Sequence, residues 1–361
     1  MMKRLLIGLL CLLLAAAPAM ADRAADAAQD ITARVPPSSS QGTAASGGAA
    51  VVTSSAYGTA PGEEPVIPEE GQWPRLNVLG YLDEGEFVWE DPTNGVWRYC
   101  SSTLKVQIIR RATSSPKKLW FEAEVWSLDG GFDLCHAVEG KYVSAVDIQP
   151  SIASRNGCVL AINADQACIR WSYKSERVGV AIRDGQILWS RTGKDVTNSF
   201  PPLNNLVLYE DGNMEVYGTR ERTAQEFIEM GAKHVLSFGP VLIRNGVIDK
   251  ERIARCDRFP KSARTVIGMV EKGHYWVMMA EGETKGGNGS SILGMAELLL
   301  EKGCTVGFNL DGGRTSSIMF MGKQLCEVWG APVQKKYARR TSELLYIGTS
   351  ALVEGYQGTT Y

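Results

Sequence analysis

The chain has 361 residues, 44% of them hydrophobic and 22% charged, with 38 glycines. That composition excludes disorder throughout and a collagen-like fibre, and it leaves room for one large domain or two small ones. With 38 basic and 40 acidic residues the formal charge is −2, so nothing in the overall charge attracts nucleic acid or an anionic membrane, and an anionic ligand needs a local site.

The first segment reads as an address. Lys3 and Arg4 precede an apolar run from Leu5 to Ala17, and Ala19-Met20-Ala21 gives the small-x-small pattern of a signal peptidase site, so cleavage is expected after Ala21. The apolar run is about 13 residues long where a spanning helix needs about 20. An uncleaved anchor is the alternative, and no second run is long enough to span. Residues 22–72 are rich in Ala, Ser, Gly, Pro and Thr with one aromatic, Tyr57. Such a stretch buries too little apolar surface to offset its ordering entropy and is expected to be a disordered linker. The expected organisation is a signal peptide over 1–21, a linker over 22–72 and a single domain over 73–355. The product is expected to be secreted or associated with the cell envelope, with no membrane span after signal cleavage and no nucleic-acid partner.

Within the domain, turn signals dominate. Asp184-Gly185, Asp211-Gly212 and Asn245-Gly246 each separate two β-rich runs and predict hairpins, and Lys272-Gly273 and Met321-Gly322 predict two more. Helices are expected near 149–156, 223–230 and 292–302, each stopped by a glycine and each followed by an apolar strand. The expected fold is α+β: a mixed, largely antiparallel sheet with helices packed on it. Of eight cysteines, seven follow the apolar leader, with no Cys-x-x-Cys pair and no zinc spacing. Cys158 and Cys304 open strand-like runs and read as buried thiols, with one or two bridges elsewhere left open.

Two buried strands end alike. Residues 159–162 run into Asn163-Ala164-Asp165, and residues 305–308 run into Asn309-Leu310-Asp311-Gly312-Gly313-Arg314-Thr315-Ser316. An amide and a carboxylate two apart at a strand terminus project to one side of the sheet. Gly312 and Gly313 allow backbone amides to approach an anion, and Thr315 and Ser316 add hydroxyl donors. The alternative is an Asx-type turn capped by Asp311. Arg264 opens a further strand whose hairpin partner ends at Glu281, and it serves either as an anion fork or as half of a surface salt bridge. His136, His234 and His274 stand apart from acids at ligand spacing, which disfavours zinc and Ser-His-Asp chemistry. No nucleotide-binding glycine motif occurs in a suitable context. Carboxylates, amides, hydroxyls and an arginine remain, an inventory that suits glycosyl or phosphoester chemistry.

Five ordered motifs carry a resemblance: 159–165, 206–212, Ser237-Phe238-Gly239-Pro240-Val241-Leu242, Ala263-Arg264-Thr265-Val266-Ile267-Gly268 and Phe308-Asn309-Leu310-Asp311-Gly312-Gly313. In order and approximate spacing they resemble the phosphodiester glycosidase family, that of N-acetylglucosamine-1-phosphodiester α-N-acetylglucosaminidase and exported bacterial relatives. The resemblance covers about 142–347. It implies a carbohydrate phosphodiester substrate, hydrolysed at the anomeric bond. It also implies a charge clamp from Arg264 and the Gly312-Gly313 amides, a catalytic carboxylate at Asp311 with Asp165 or Glu281 as second choices, and sugar contacts or acid orientation by Asn163 and Asn309. No cofactor is implied, and a divalent cation bridging the carboxylates and phosphate is left open without an identifiable metal site. Ala164-Asp165-Gln166-Ala167, Glu281-Gly282-Glu283 and Arg314-Thr315-Ser316 depart from the family's usual wording. They leave a second function class standing: a non-catalytic member that binds envelope polysaccharide.

Overall fold

Asp184 and Gly185, Asn245 and Gly246, and Met321 and Gly322 all have positive φ, the backbone that a two-residue hairpin turn matched to strand twist requires. They join Gly179–Arg183 to Gln186–Arg191, Val241–Arg244 to Val247–Ile248, and Ile318–Phe320 to Lys323–Gln324. Lys272-Gly273 joins Arg264–Glu271 to His274–Ala280, and a longer turn through Asp211-Gly212 joins Asn204–Tyr209 to Met214–Tyr217. All five predicted hairpins are present. The computed structural model describes residues 72–172, 178–191, 203–256, 261–284, 287–328 and 337–356. The expected signal peptide, and the expected linker up to its last residue, lie outside the described residues.

The strands form three sheets. A nine-stranded sheet runs in the order Phe87–Asp91, Val96–Cys100, Leu104–Ser114, Lys117–Ser127, His274–Ala280, Arg264–Glu271, Val306–Asn309, Val241–Arg244, Val247–Ile248. A second sheet is ordered Met214–Tyr217, Asn204–Tyr209, Ala232–Phe238, Gly179–Arg183, Gln186–Arg191. The third is ordered Lys323–Gln324, Ile318–Phe320, Cys158–Asn163, Glu343–Thr349, Asp133–His136. Every pairing within them is antiparallel among the described residues. The fold is α+β and its sheets are antiparallel.

Period-two alternation splits the long sheet between two cores. Ile267, Met269, Val277 and Met279 face the main core with Val159, Leu160, Ile162, Leu206 and Phe308. Val266, Met278 and Ala280 face the opposite side, against Met295, Ala296 and Leu299 of the helix Ile292–Glu301. Burying each such large aliphatic side chain contributes about 1.5–3 kcal/mol. The expected helices are present as Gln149–Arg155, Ala224–Glu229 and Ile292–Glu301, the second opened by a capping box of Thr223 with Glu226 and the third by Ser291. Two further short helices, Ala167–Ser172 and Lys250–Cys256, lack a strong sequence signal. Among the described residues no helix is long and apolar enough to cross a membrane.

Candidate functional site

The third sheet and the long sheet meet at Asn163, the last residue of Cys158–Asn163. Its Oδ1 accepts from Thr265 Oγ1 at 2.7 Å and from the Ser317 amide at 3.0 Å. Its Nδ2 donates to the Asp311 carbonyl at 2.8 Å and to the Ala164 carbonyl at 3.2 Å. The buried amide is therefore fully used in joining three strand ends, and it serves to orient the loop that carries Asp311.

Backbone contacts complete that docking. The Leu310 amide donates to Thr265 O at 2.9 Å, Asp311 to Ala164 O at 3.4 Å, and Gly313 to Ala263 O at 2.9 Å. A Cβ on Gly312 would lie 2.9 Å from Ala263 O and 3.8 Å from Arg264 Nη1. Only glycine lets the loop lie this close to the strand that begins at Arg264.

Asp311 is 9% exposed. Its Oδ1 accepts from the Gly312 amide at 2.9 Å, whereas Oδ2 is buried with no hydrogen-bond partner among the described residues. Burial raises its pKa above the ordinary aspartate range, and the nearby Arg339 charge and Thr315 hydroxyl offset only part of that rise. A half-satisfied carboxyl with raised basicity is suited to proton transfer.

Asp165 is placed very differently. It is wholly buried, and both carboxylate oxygens are occupied. Oδ2 accepts from Arg170 Nη2 and the Ser237 amide, both at 2.8 Å. Oδ1 accepts from Arg183 Nη2 at 3.1 Å and the Ala167 amide at 3.2 Å. Arg183 in turn reaches Glu343 through Nη2 at 2.7 Å and Nε at 2.9 Å. Burial alone would raise the Asp165 pKa, but Arg170 and Arg183 outweigh it and hold the group below the ordinary range. Asp165 thus anchors a sealed four-member ion network rather than facing a ligand.

The remaining candidates divide. Arg264 is buried and donates from Nε to Ser290 O at 3.3 Å beside the Gly312 loop. Glu281, its pKa raised by burial, accepts from the Glu327 amide and from Thr284 Oγ1, each at 2.7 Å, and none of these bonds goes to Asp311. Asn309 donates to Gly239 O at 2.8 Å, with its Oδ1 buried and unpartnered among the described residues. Thr315 is buried near Asp311, and Ser316 has a buried hydroxyl without a partner among the described residues. Residues absent from the sequence reading include Arg170, Arg183, Glu343 and Arg339. Arg183 and Glu343 meet across 160 residues and Arg339 and Gln166 across 173, so no local pattern marks them, whereas Arg170 lies only five residues from Asp165.

Asp133, Asp184 and His234 bring their ligand atoms within 4.8 Å of one another, a meeting of His234 with acids that sequence spacing did not disclose. They do not make a convincing metal set. His234 Nδ1 accepts from the Asp184 amide at 3.2 Å, so the ring proton sits on Nε2, which faces Asp133 Oδ1 at 2.6 Å. No ring lone pair is left for an ion, and Lys233 Nζ already supplies a cation to Asp133 at 3.0 Å.

Comparison with known proteins agrees with this architecture. SPbeta prophage-derived uncharacterized protein YomE of Bacillus subtilis (strain 168) is 31% identical over 179 residues, which span 48% of this chain but only 26% of that protein. The solved catalytic domain of zebrafish N-acetylglucosamine-1-phosphodiester α-N-acetylglucosaminidase, auto-inhibited by its pro-peptide, superposes with a TM-score of 0.52 at 19% identity. That superposition covers 69% of this chain and 85% of the zebrafish domain, and it establishes a shared fold. The sequence profile of the phosphodiester glycosidase family matches residues 156–347, from the end of the helix before Asn163 into the strand after Arg339. By that match, over more than half its length, the chain belongs to the phosphodiester glycosidase family.

Proposed function

We propose that this protein hydrolyses a sugar-1-phosphodiester at the anomeric bond, in exported or envelope glycans, with Asp311 as the reacting carboxylate. The observation that carries this reading is the state of Asp311: a carboxyl on a rigidly docked strand end, nearly buried, with one oxygen unpartnered and an arginine alongside. Water attacks the anomeric carbon as the bond from that carbon to the phosphate oxygen breaks. Asp311 takes the water proton, the sugar leaves with a free hydroxyl, and the phosphomonoester departs with the bonding electron pair. A phosphomonoester is a good leaving group, so stabilising its charge matters more than protonating it. Asn163 and the Asp165 network act on geometry: they fix the strand ends on which Asp311 rides.

The test is release of free sugar from the methyl phosphodiester of α-N-acetylglucosamine 1-phosphate, with the Asp311→Asn variant in parallel. Turnover by the native chain that falls in the variant supports the reading. Retained binding of glycan phosphodiester without turnover between acid and alkaline pH would replace it with a non-catalytic polysaccharide-binding role.

A further inference from the structure

Arg339 is pinned by its backbone and underused at its head. Its amide donates to Arg314 O at 2.9 Å, and its carbonyl accepts from Gln149 Nε2 at 2.9 Å. The same Gln149 nitrogen donates to Thr315 O at 3.0 Å, which locks the Arg339 segment in register with the loop that follows Asp311. Its guanidinium, by contrast, reaches Gln166 Oε1 at 3.4 Å and Thr315 Oγ1 at 3.5 Å. Contacts of charged donors that are fully engaged are about 2.7–2.9 Å long, so this fork is held in place without being saturated.

Gln166 points the same way. A guanidinium can only donate, so the Gln166 oxygen faces Arg339 and its NH2 faces elsewhere. That Nε2 is buried with no partner among the described residues, on a residue only 7% exposed and held at a positive φ of 52°. The unpartnered Asp311 Oδ2 and Ser316 Oγ lie on the neighbouring loop. Buried polar atoms without partners are uncommon, and the Gln166 Nε2 and Ser316 Oγ donors beside Arg339 are the arrangement a bound oxyanion satisfies, which leaves the acceptor Asp311 Oδ2 for the attacking water.

We propose that Arg339 and Gln166 bind the phosphate half of the substrate beside Asp311, and that Arg264 is a positioning residue that props the Gly312 loop. The assignment rests on the phosphodiester reading for its substrate, and on the Arg339 geometry for its place. The two non-bridging oxygens of a phosphodiester match the fork of a guanidinium, and the Gln166 amide adds a neutral donor. As the ester bond breaks, charge grows on the departing phosphate, so the same contacts strengthen towards the transition state.

Two readouts on the full chain separate this proposal from the activity itself: turnover of the methyl phosphodiester, and calorimetric binding of inorganic phosphate. Arg339→Ala is expected to weaken phosphate binding by about tenfold or more, in line with loss of a charged hydrogen-bonded pair. It is also expected to raise KM and lower kcat. Arg339→Lys restores part of the binding, and Gln166→Ala shows a smaller loss. Thermal unfolding of each variant reports folding, and the lysine variant serves where alanine does not fold. Phosphate binding unchanged in both Arg339 variants overturns the assignment even if the native enzyme turns over. Binding lost in Arg264→Ala but kept in Arg339→Ala overturns it in favour of Arg264. Binding that depends on Arg339 in a protein that never releases sugar keeps the subsite and discards the glycosidase reading. No phosphate binding by the native chain discards the subsite.

Discussion

The side-chain amide of Asn163 holds the backbone carbonyl of Asp311 at 2.8 Å, so the end of one sheet sets the position of the carboxyl proposed to react on another. Replacing Asn163 by Ala would leave the Asp311 carbonyl, the Thr265 hydroxyl and the Ser317 amide short of a partner. Each buried group so orphaned costs roughly 1–3 kcal/mol. Urea denaturation of Asn163→Ala is expected to show a clearly lower midpoint, with activity lost beyond what the unfolded fraction explains.

Asp165 and Asp311 are predicted to fail in opposite ways. Asp165→Asn strips a full charge from between Arg170 and Arg183, and breaking one side of a buried ion network costs about 3–5 kcal/mol. Asp311→Asn removes a charge that burial already disfavours, so stability at neutral pH is expected to hold or rise while turnover falls by about a hundred- to ten-thousand-fold, the contribution of a general base. Denaturation midpoints and kcat measured side by side on the two variants check both statements. Equal stability losses would place Asp311 in the structural network instead.

The pH dependence follows from the same contrast. Asp165 and Asp133 have folded-state pKa values below their ordinary 3.8. For Asp133, burial pushes up but the hydrogen bond with His234, with the Leu134 amide and Lys233, pulls further down. Their stabilisation is present above about pH 4 and is lost as pH falls through the lowered folded values. Asp311 runs the other way: its raised value means the fold binds its proton more tightly than the unfolded chain does, so stability declines as pH climbs from 3.8 through the raised value. Activity, which needs the carboxylate, is expected to rise over that same interval. A rate profile whose acid limb sits at or below the ordinary aspartate value would remove Asp311 from the base role.

Gly312 offers a purely steric test. Its φ is −119°, a backbone open to any residue, so the objection to alanine is the contact of 2.9 Å with Ala263 O. Gly312→Ala is expected to shift the Asp311 loop off the Arg264 strand and to cut kcat by tenfold or so, as a small misplacement of a reacting group does, while secondary structure by circular dichroism is unchanged.

Much of this fold was legible because its information is local. Asp184-Gly185 and Asn245-Gly246 announce two-residue turns whose geometry fixes the strand register on either side. The strand ends carrying Asn163 and Asp311 were legible for the same reason, as apolar runs broken by Asx residues and glycines. The role of Asp165 was not, because it depends on Arg183 and Glu343, which meet across 160 residues from strands of two different sheets. Arg339 was hidden likewise. It sits beside Arg340 in sequence, and nothing local distinguishes the arginine beside Asp311 from the exposed one that meets Asp147 at 3.4 Å. The short helices Ala167–Ser172 and Lys250–Cys256 escaped because segments of that length owe their form to packing rather than propensity.

The most direct measurement is the release of N-acetylglucosamine from its methyl 1-phosphodiester by the native chain and by Asp311→Asn, followed from pH 4 to pH 9. The account predicts free sugar and methyl phosphate in equal amounts from the native chain, on an acid limb above the ordinary aspartate range, and a folded variant with turnover reduced at least about a hundredfold. Native turnover that the substitution leaves intact, or no release of sugar at any pH from a folded native chain, would contradict it.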